Sequence, residues 1–276
     1  MEAIALMGAG GKIGCRITDR LKNTAYRMHY VEVSEAGQEN LRKRGLEITR
    51  QDQALCEADF VILAVPDRLI ERISAEISSA LRSGSMVVCL DPAAPCAGKV
   101  KLRQDVRCLV THPCHPPLFN GETDPEAQRD FYGGVKAKQN VVCALLQGSE
   151  GDYARGEALA REMFAPVMKV HRVTVEQMAI LEPALAETTS QTCIQAIREA
   201  MDEAIRRGVP PEAARDFLLG HINIQLAIFF GEVDVRFSDG AIKAMERARS
   251  QIFQPDWKKV FEPERVRESL EAITTP

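Results

Sequence analysis

The sequence has no excess of positive charge: 35 lysine and arginine residues stand against 39 acidic ones, a net charge of −4. A general attraction for nucleic acid or an anionic membrane surface is therefore disfavoured, although a local basic pocket stays open. Also missing is a stretch long enough to span a bilayer. The longest uncharged run, Phe217 to Gly231, falls short of the roughly 20 apolar residues required and is broken by His221, Asn223 and Gln225. It reads as a buried helix. Met1-Glu2-Ala3-Ile4 leads straight into an apolar run, with neither the basic start nor the cleavage site of a secretory signal, so a cytoplasmic protein is expected. Cys15, Cys56, Cys89, Cys96, Cys108, Cys114, Cys143 and Cys193 form no C-x-x-C pair, which argues against a zinc ribbon or thioredoxin-like motif. Most are expected to be reduced, small, buried hydrophobes. Internal repeats and low-complexity segments are absent.

What is present is an ordinary folded composition, 45% hydrophobic and 27% charged over 276 residues, a length that suggests two domains. Up to about residue 172, short β-rich runs alternate with helical stretches. This is the pattern of an α/β fold, a Rossmann-type doubly wound parallel sheet covered by helices on both faces. Strands are expected at 3–7, 27–33, 60–64, 86–90, 107–111, 141–146 and 167–172. Runs such as Phe60-Val61-Ile62-Leu63-Ala64 are continuously apolar, as strands buried on both faces should be. Beyond residue 173 a helical period takes over, through Val175, Met178, Leu181, Leu185, Thr192, Ala196 and Ala200. Gly208-Val209-Pro210-Pro211 breaks it, and a further helix runs from Asp239 to about Gln251. The expected organisation is a first domain over 1–172 and an all-helical second domain over 173–276.

The first strand runs into Gly8-Ala9-Gly10-Gly11-Lys12-Ile13-Gly14 and then a helical pattern. Glycines at a strand-to-helix turn allow close approach of a pyrophosphate to free N–H groups at the positive end of a helix. Ile13 occupies the third-glycine position of G-x-G-x-x-G, so the spacing is the variant G-x-x-G-x-x-G, with Gly8, Gly11 and Gly14. Glu32, at the end of the second strand, is placed to accept from the ribose hydroxyls of an adenosine; Glu35 is the alternative. A carboxylate there repels a 2′-phosphate, and Val33 follows it in place of a neutralising arginine, so the expected cofactor is NAD. Val65-Pro66-Asp67, at the end of the third strand, should pass near the nicotinamide ribose, with Asp67 equally readable as a helix N-cap.

Thr111-His112-Pro113-Cys114-His115-Pro116-Pro117 follows the fifth expected strand. Prolines stiffen such a loop, and a fixed imidazole at the sheet's carboxyl edge suits a general base for hydride transfer. His112 or His115 could equally ligate a metal, or merely bond backbone groups in a proline-rich turn; Cys114 as a nucleophile has no chemistry calling for it. Farther on, Glu182 and Glu187 flank Pro183, which should kink or restart the helix. Either could serve as acid, base or metal ligand, or be a solvated helix residue. Being five residues apart they do not share a face of a regular helix, so one is expected to point inward. His221 reads first as a satisfied core histidine.

Gly8 to Gly14, Tyr30 to Gly37, Thr111 to Asn120, His171 to Leu185 and Asp216 to Gln225 together resemble the D-apionate oxidoisomerase family, within the wider group similar to 6-phosphogluconate dehydrogenase. The resemblance implies an NAD-binding Rossmann domain, a helical C-terminal domain for substrate and dimerisation, a homodimer, and NAD-dependent oxidation of D-apionate with rearrangement to 3-oxo-isoapionate. Many dehydrogenases of the wider group carry a catalytic lysine on the first long helix after the Rossmann domain, whereas here residues 170–242 contain none. Acid–base work then falls to His112, His115 and Glu182, or to a divalent metal held by His115 and Glu187, with His112, Glu182 and His221 as alternative ligands. The rival readings are a hydroxy-acid dehydrogenase without rearrangement and an NAD-sensing module without turnover.

Overall fold

The computed structural model describes residues 1–275. Seven strands, β1 (Ala3–Met7), β2 (Arg27–Val31), β3 (Phe60–Leu63), β4 (Met86–Cys89), β5 (Arg107–Pro113), β6 (Gln139–Gln147) and β7 (Val167–Arg172), form one sheet in the order β2-β1-β3-β4-β5-β6-β7. Among and after them lie α1 (Lys12–Leu21), α2 (Glu35–Arg42), α3 (Gln51–Glu57), α4 (Ile70–Ser78), α5 (Ala93–Cys96), α6 (Glu150–Met163) and α7 (Val175–Ala179). A π-helical segment, Ile180–Gln191, leads to α8 (Thr192–Arg206), α9 (Pro211–Phe229), α10 (Asp239–Ile252) and α11 (Pro263–Thr274).

Alternate strand residues enter two different cores, which is why the strands read as unbroken apolar runs. Ala5 and Met7 of β1 and Val61 and Leu63 of β3 pack with Leu55 of α3, Ile70 and Ile77 of α4, and Met178 of α7. Ile4, Leu6, Phe60 and Ile62 face the other way, against Ile17 and Leu21 of α1, Leu41 of α2, and Tyr153 and Leu159 of α6. Each such large side chain removed from water contributes about 1.5–3 kcal/mol.

The sheet departs from an all-parallel one at β6, which runs antiparallel to β5 with His112 opposite Val142; β7 then pairs parallel to β6. The segment joining β5 to β6 crosses no face of the sheet. It leaves and re-enters at the carboxyl end of β5, so reversal of direction follows, and the segment stays at the edge where ligands bind in such folds. β5 also runs two residues farther than expected, so His112 is a strand residue and not a loop residue.

The chain forms two compact units, Met1–Glu182 together with the residues from Arg267 onward, and Pro183–Val266. The division falls ten residues past the change of periodicity at 172, because Val175, Met178 and Ala179 of α7 are buried, Val175 and Met178 in the core of the sheet. The last helix also returns to the first unit: Leu270 and Thr274 are buried, and Lys99 Nζ donates to the Thr274 hydroxyl at 2.8 Å and to its carbonyl at 3.3 Å. Within the helical unit the apolar run of α9 is not buried as expected: Phe217 is 69% exposed and the helix hides only Ala214 and Ala227. Among the described residues no helix is long and apolar enough to cross a membrane.

Candidate active site

A cavity of about 570 Å³ opens at the carboxyl edge of the sheet, lined by the start of α1, the residues after β3 and β4, the end of β5 and Glu182. Its floor is the turn between β1 and α1. Gly8 lies at φ +75°, and a Cβ there would meet the Ala64 carbonyl oxygen at 2.3 Å; one on Gly10 would meet the Gly37 carbonyl at 2.0 Å, and one on Gly14 the Gly8 carbonyl at 2.0 Å. The protein itself thus demands Gly8, Gly10 and Gly14. A Cβ on Gly11 meets only the Gly8 oxygen, at 3.3 Å, and Gly11 lines the cavity, so the expected triad of Gly8, Gly11 and Gly14 mixes packing positions with a ligand-facing one. Gly11 is the N-cap of α1 and no side chain caps the helix, leaving its first N–H groups directed to the cavity side of the turn.

Glu32 stands just past β2, where its Oε2 accepts from the Gly10 N–H at 3.0 Å while Oε1 accepts from the N–H groups of Val33 and Ser34 and from the Ser34 hydroxyl, each at 2.9 Å. The acid therefore braces the glycine turn. Glu35, the alternative, opens α2 and is exposed. Pro66 and Asp67 line the cavity; Asp67 is not a helix N-cap but the first residue of a short 3-10 turn capped by Pro66.

His112 is held at Nδ1. Its Nδ1 lies 2.8 Å from the Leu90 carbonyl, which assigns the proton to Nδ1 and leaves Nε2 with a lone pair 3.6 Å from Glu182 Oε2. Asp91, which the sequence reading missed, has one oxygen 3.9 Å from His112 Nδ1 and the other accepting from the Ala93 N–H at 2.8 Å, at the start of α5. The strand-end rule that picked out Asp67 after β3 applies equally to Asp91 after β4. His115 lies with its ring centre 6.1 Å from that of His112, its Nδ1 2.9 Å from the Tyr132 carbonyl. Cys114 is a poor nucleophile: loss of hydration at sulfur, then the nearby Glu182 charge, raise its pKa and keep it a thiol.

Glu182 reaches the cavity because Pro183 lacks an N–H for the α-helical ladder and the chain runs on in π-helical register. The kink expected at Pro183 is thus a change of helix type. Of the two acids only Glu182 lines the cavity, in keeping with the expectation that one points inward; Glu187 is exposed and belongs to the helical unit. So does His221, which is an exposed helix residue and not a core one, its Nδ1 2.7 Å from the Phe217 carbonyl and its ring stacked on Phe217 at 4.0 Å. The structure brings together Gly11, Lys12, Ile13, Pro66, Asp67, His112, His115 and Glu182 around one cavity. Among the described residues no three His, Cys, Asp or Glu side chains are grouped to hold a metal ion.

Residues 120–274 match the family model described as phosphogluconate dehydrogenase (decarboxylating) C-term. The chain is 51% identical over 274 residues to a D-apionate oxidoisomerase of Cupriavidus necator, covering 99% of each. A D-apionate oxidoisomerase of Rhizobium rhizogenes is 50% identical over 275 residues, 99% of this chain and 100% of the relative. Among solved structures, a semialdehyde dehydrogenase NAD-binding protein from Cupriavidus necator, in complex with calcium and NAD, superposes with a TM-score of 0.97 at 51% identity, covering 99% of this chain and 100% of the other.

Proposed function

The chain belongs to the D-apionate oxidoisomerase family, and from that premise we propose that it oxidises D-apionate with NAD and rearranges the product to 3-oxo-isoapionate. The observation that carries the reading is the cavity in which an uncapped helix N-terminus and a histidine–carboxylate pair face the same space. The residues fit NAD: α1 offers N–H groups and Lys12 to a pyrophosphate, and Gly11 leaves room for it. Glu32 accepts four hydrogen bonds, three of them on Oε1, so Oε2 keeps a lone pair for a ribose hydroxyl.

When bound, NAD supplies the hydride acceptor for C2 of the substrate. The proton of the 2-hydroxyl passes to His112 Nε2, whose imidazolium is then stabilised by Glu182 and Asp91. The resulting 2-oxo acid stands beside a tertiary alcohol. His115, with Nδ1–H donated to Tyr132, has Nε2 available to take the tertiary hydroxyl proton. The O–H electron pair then forms the C3 carbonyl, the hydroxymethyl group migrates with its bonding pair to C2, and the C2 oxygen takes up a proton, so the second step is proton-neutral.

A divalent cation, if held, would supply Lewis-acid stabilisation of the charge developing on oxygen. His112 Nε2 and Glu182 would be its protein ligands in the sheet unit, but two donors do not make a site, and the residue set by itself fits proton transfer better than ion binding. We assign the helical unit to substrate binding, as the family resemblance implies, and to homodimer formation, on its exposed apolar side chains, and the protein to the cytoplasm. The test is to incubate the protein with NAD and D-apionate, with and without a chelator, and to identify the product by NMR. The rearranged 3-oxo acid is expected; NAD reduction with an unrearranged product would reduce the reading to a simple dehydrogenase, and loss of turnover on chelation would establish the metal.

A further inference from the structure

We infer that Tyr132 is a positioning residue that ties the dinucleotide turn to His115, so that cofactor helix and second base are set as one piece; this rests on reading the cavity as an NAD site. Tyr132 lies in the segment between β5 and β6 and meets both partners at once. On one side Lys12 Nζ donates to its phenol oxygen at 3.2 Å, and Lys12 and Arg16, one turn apart on α1, each lie 4.8 Å from the centre of its ring. Arg16 also donates to the next carbonyl, of Gly133. On the other side the Tyr132 carbonyl accepts from His115 Nδ1 at 2.9 Å, and the two rings meet edge to face at 5.9 Å.

His115 needs such support. Among the described residues it is the non-glycine residue with positive φ, +61°, a conformation that persists only where the surroundings hold it. The support is rigid from below as well: a Cβ on Gly133 would lie 2.5 Å from the amide of Gln139, which is 1% exposed and whose Nε2 donates to the Phe164 carbonyl at 2.7 Å. Tyr132 is thus gripped by two cations of the pyrophosphate-binding helix while its carbonyl sets which nitrogen of His115 carries the proton. The Lys12 ammonium has three donors, so it can serve the phenol and a phosphate together.

The experiment combines spectra and turnover. Tyr132 is half exposed, so Tyr132→Leu should fold, and it keeps the carbonyl while removing the ring and phenol that anchor it. In protein labelled with 15N-histidine, the His115 signals, identified with a His115→Gln variant, should show one neutral tautomer protonated at Nδ1; Tyr132→Leu should give a tautomer mixture. Turnover should fall roughly tenfold to hundredfold with substrate KM nearly unmoved, and Tyr132→Phe, which retains the ring, should recover most of it. In the His115→Gln background Tyr132→Leu should cost nothing more. An unchanged His115 spectrum in Tyr132→Leu, or fully additive losses in the double variant, would overturn the inference. Failure of the unmodified protein to reduce NAD with D-apionate would sink the substrate reading alone, since the tautomer spectra do not depend on it.

Discussion

In the sheet unit, Ile4, Leu6, Phe60 and Ile62 are wholly removed from water by the chain's own helices. In residues 183–266 the buried apolar side chains among the described residues are Ala184, Ala214, Ala227 and Val266, with Pro183, while Phe217, Phe229 and Phe230 are 69%, 61% and 73% exposed. Both regions carry strong apolar periodicity, yet only one supplies its own cover. The difference teaches that a period says a face will be covered without saying by what. α8 makes the point most sharply, because it is amphipathic and buries no residue at all. With so little core of its own, the helical unit is where the homodimer proposed above would find its cover.

If the sheet unit holds the chemistry, the largest effect is at His112. His112→Ala should lower kcat by roughly 10²–10⁴-fold while NAD affinity, measured by titration calorimetry, stays put; a fall below tenfold would move the base elsewhere. Next comes packing. Phe60→Ala removes a fully buried ring that Arg155 covers at 4.2 Å and should cost about 3–5 kcal/mol in denaturant unfolding, whereas Phe217→Ala should cost far less per protomer. Equal costs would erase the contrast between the units.

Phe217→Glu with Phe230→Glu should instead act on assembly, shifting the sedimenting species from dimer to monomer with the sheet unit still folded; an unaltered mass would show that this surface is not the interface. A smaller change separates the glycines. Gly10→Ala should weaken NAD binding by distorting the turn against Gly37 and should lower thermal stability as well, while Gly11→Ala should weaken binding alone. The least effect is a matter of pH. His29, in β2, has its pKa held below the ordinary value, first by burial, with Glu57 opposing and Arg27 adding. As pH falls below the usual histidine value of about 6.5, the unfolded chain takes up this proton before the folded one does, so the stability it confers is lost from there down to the folded pKa. His29→Gln should flatten the melting temperature between about pH 7 and pH 5; an unchanged slope would place the acid sensitivity outside β2.

The strands, the glycine turn and the meeting of His112, His115 and Glu182 at one cavity were legible because each follows from a local pattern: a buried strand, a tight turn, imidazoles at the end of a strand, an acid beside a proline in a helix. What escaped was set by distant partners. The reversal at β6 depends on where the intervening segment travels, and nothing in the apolar pattern of β6 encodes direction. Which of Glu182 and Glu187 lines the cavity depends on the π-helical register around Pro183, which a uniform helical period does not encode. Tyr132 is an exposed aromatic in an irregular segment, and its meaning comes from Lys12 and Arg16 more than a hundred residues earlier. Asp91 had a usable signal, its place right after β4, and was passed over.

The return of α11 to the sheet unit bears on the order in which the protein can be made. Residues from Arg267 onward, with Leu270 and Thr274 buried, reach Lys99 only after all of residues 183–266 have been synthesised. The unit that begins first is thus completed last. A ribosome-bound chain with the sheet already formed still lacks this final piece, so a stop introduced near residue 266 damages the dinucleotide-binding unit as well as shortening the tail.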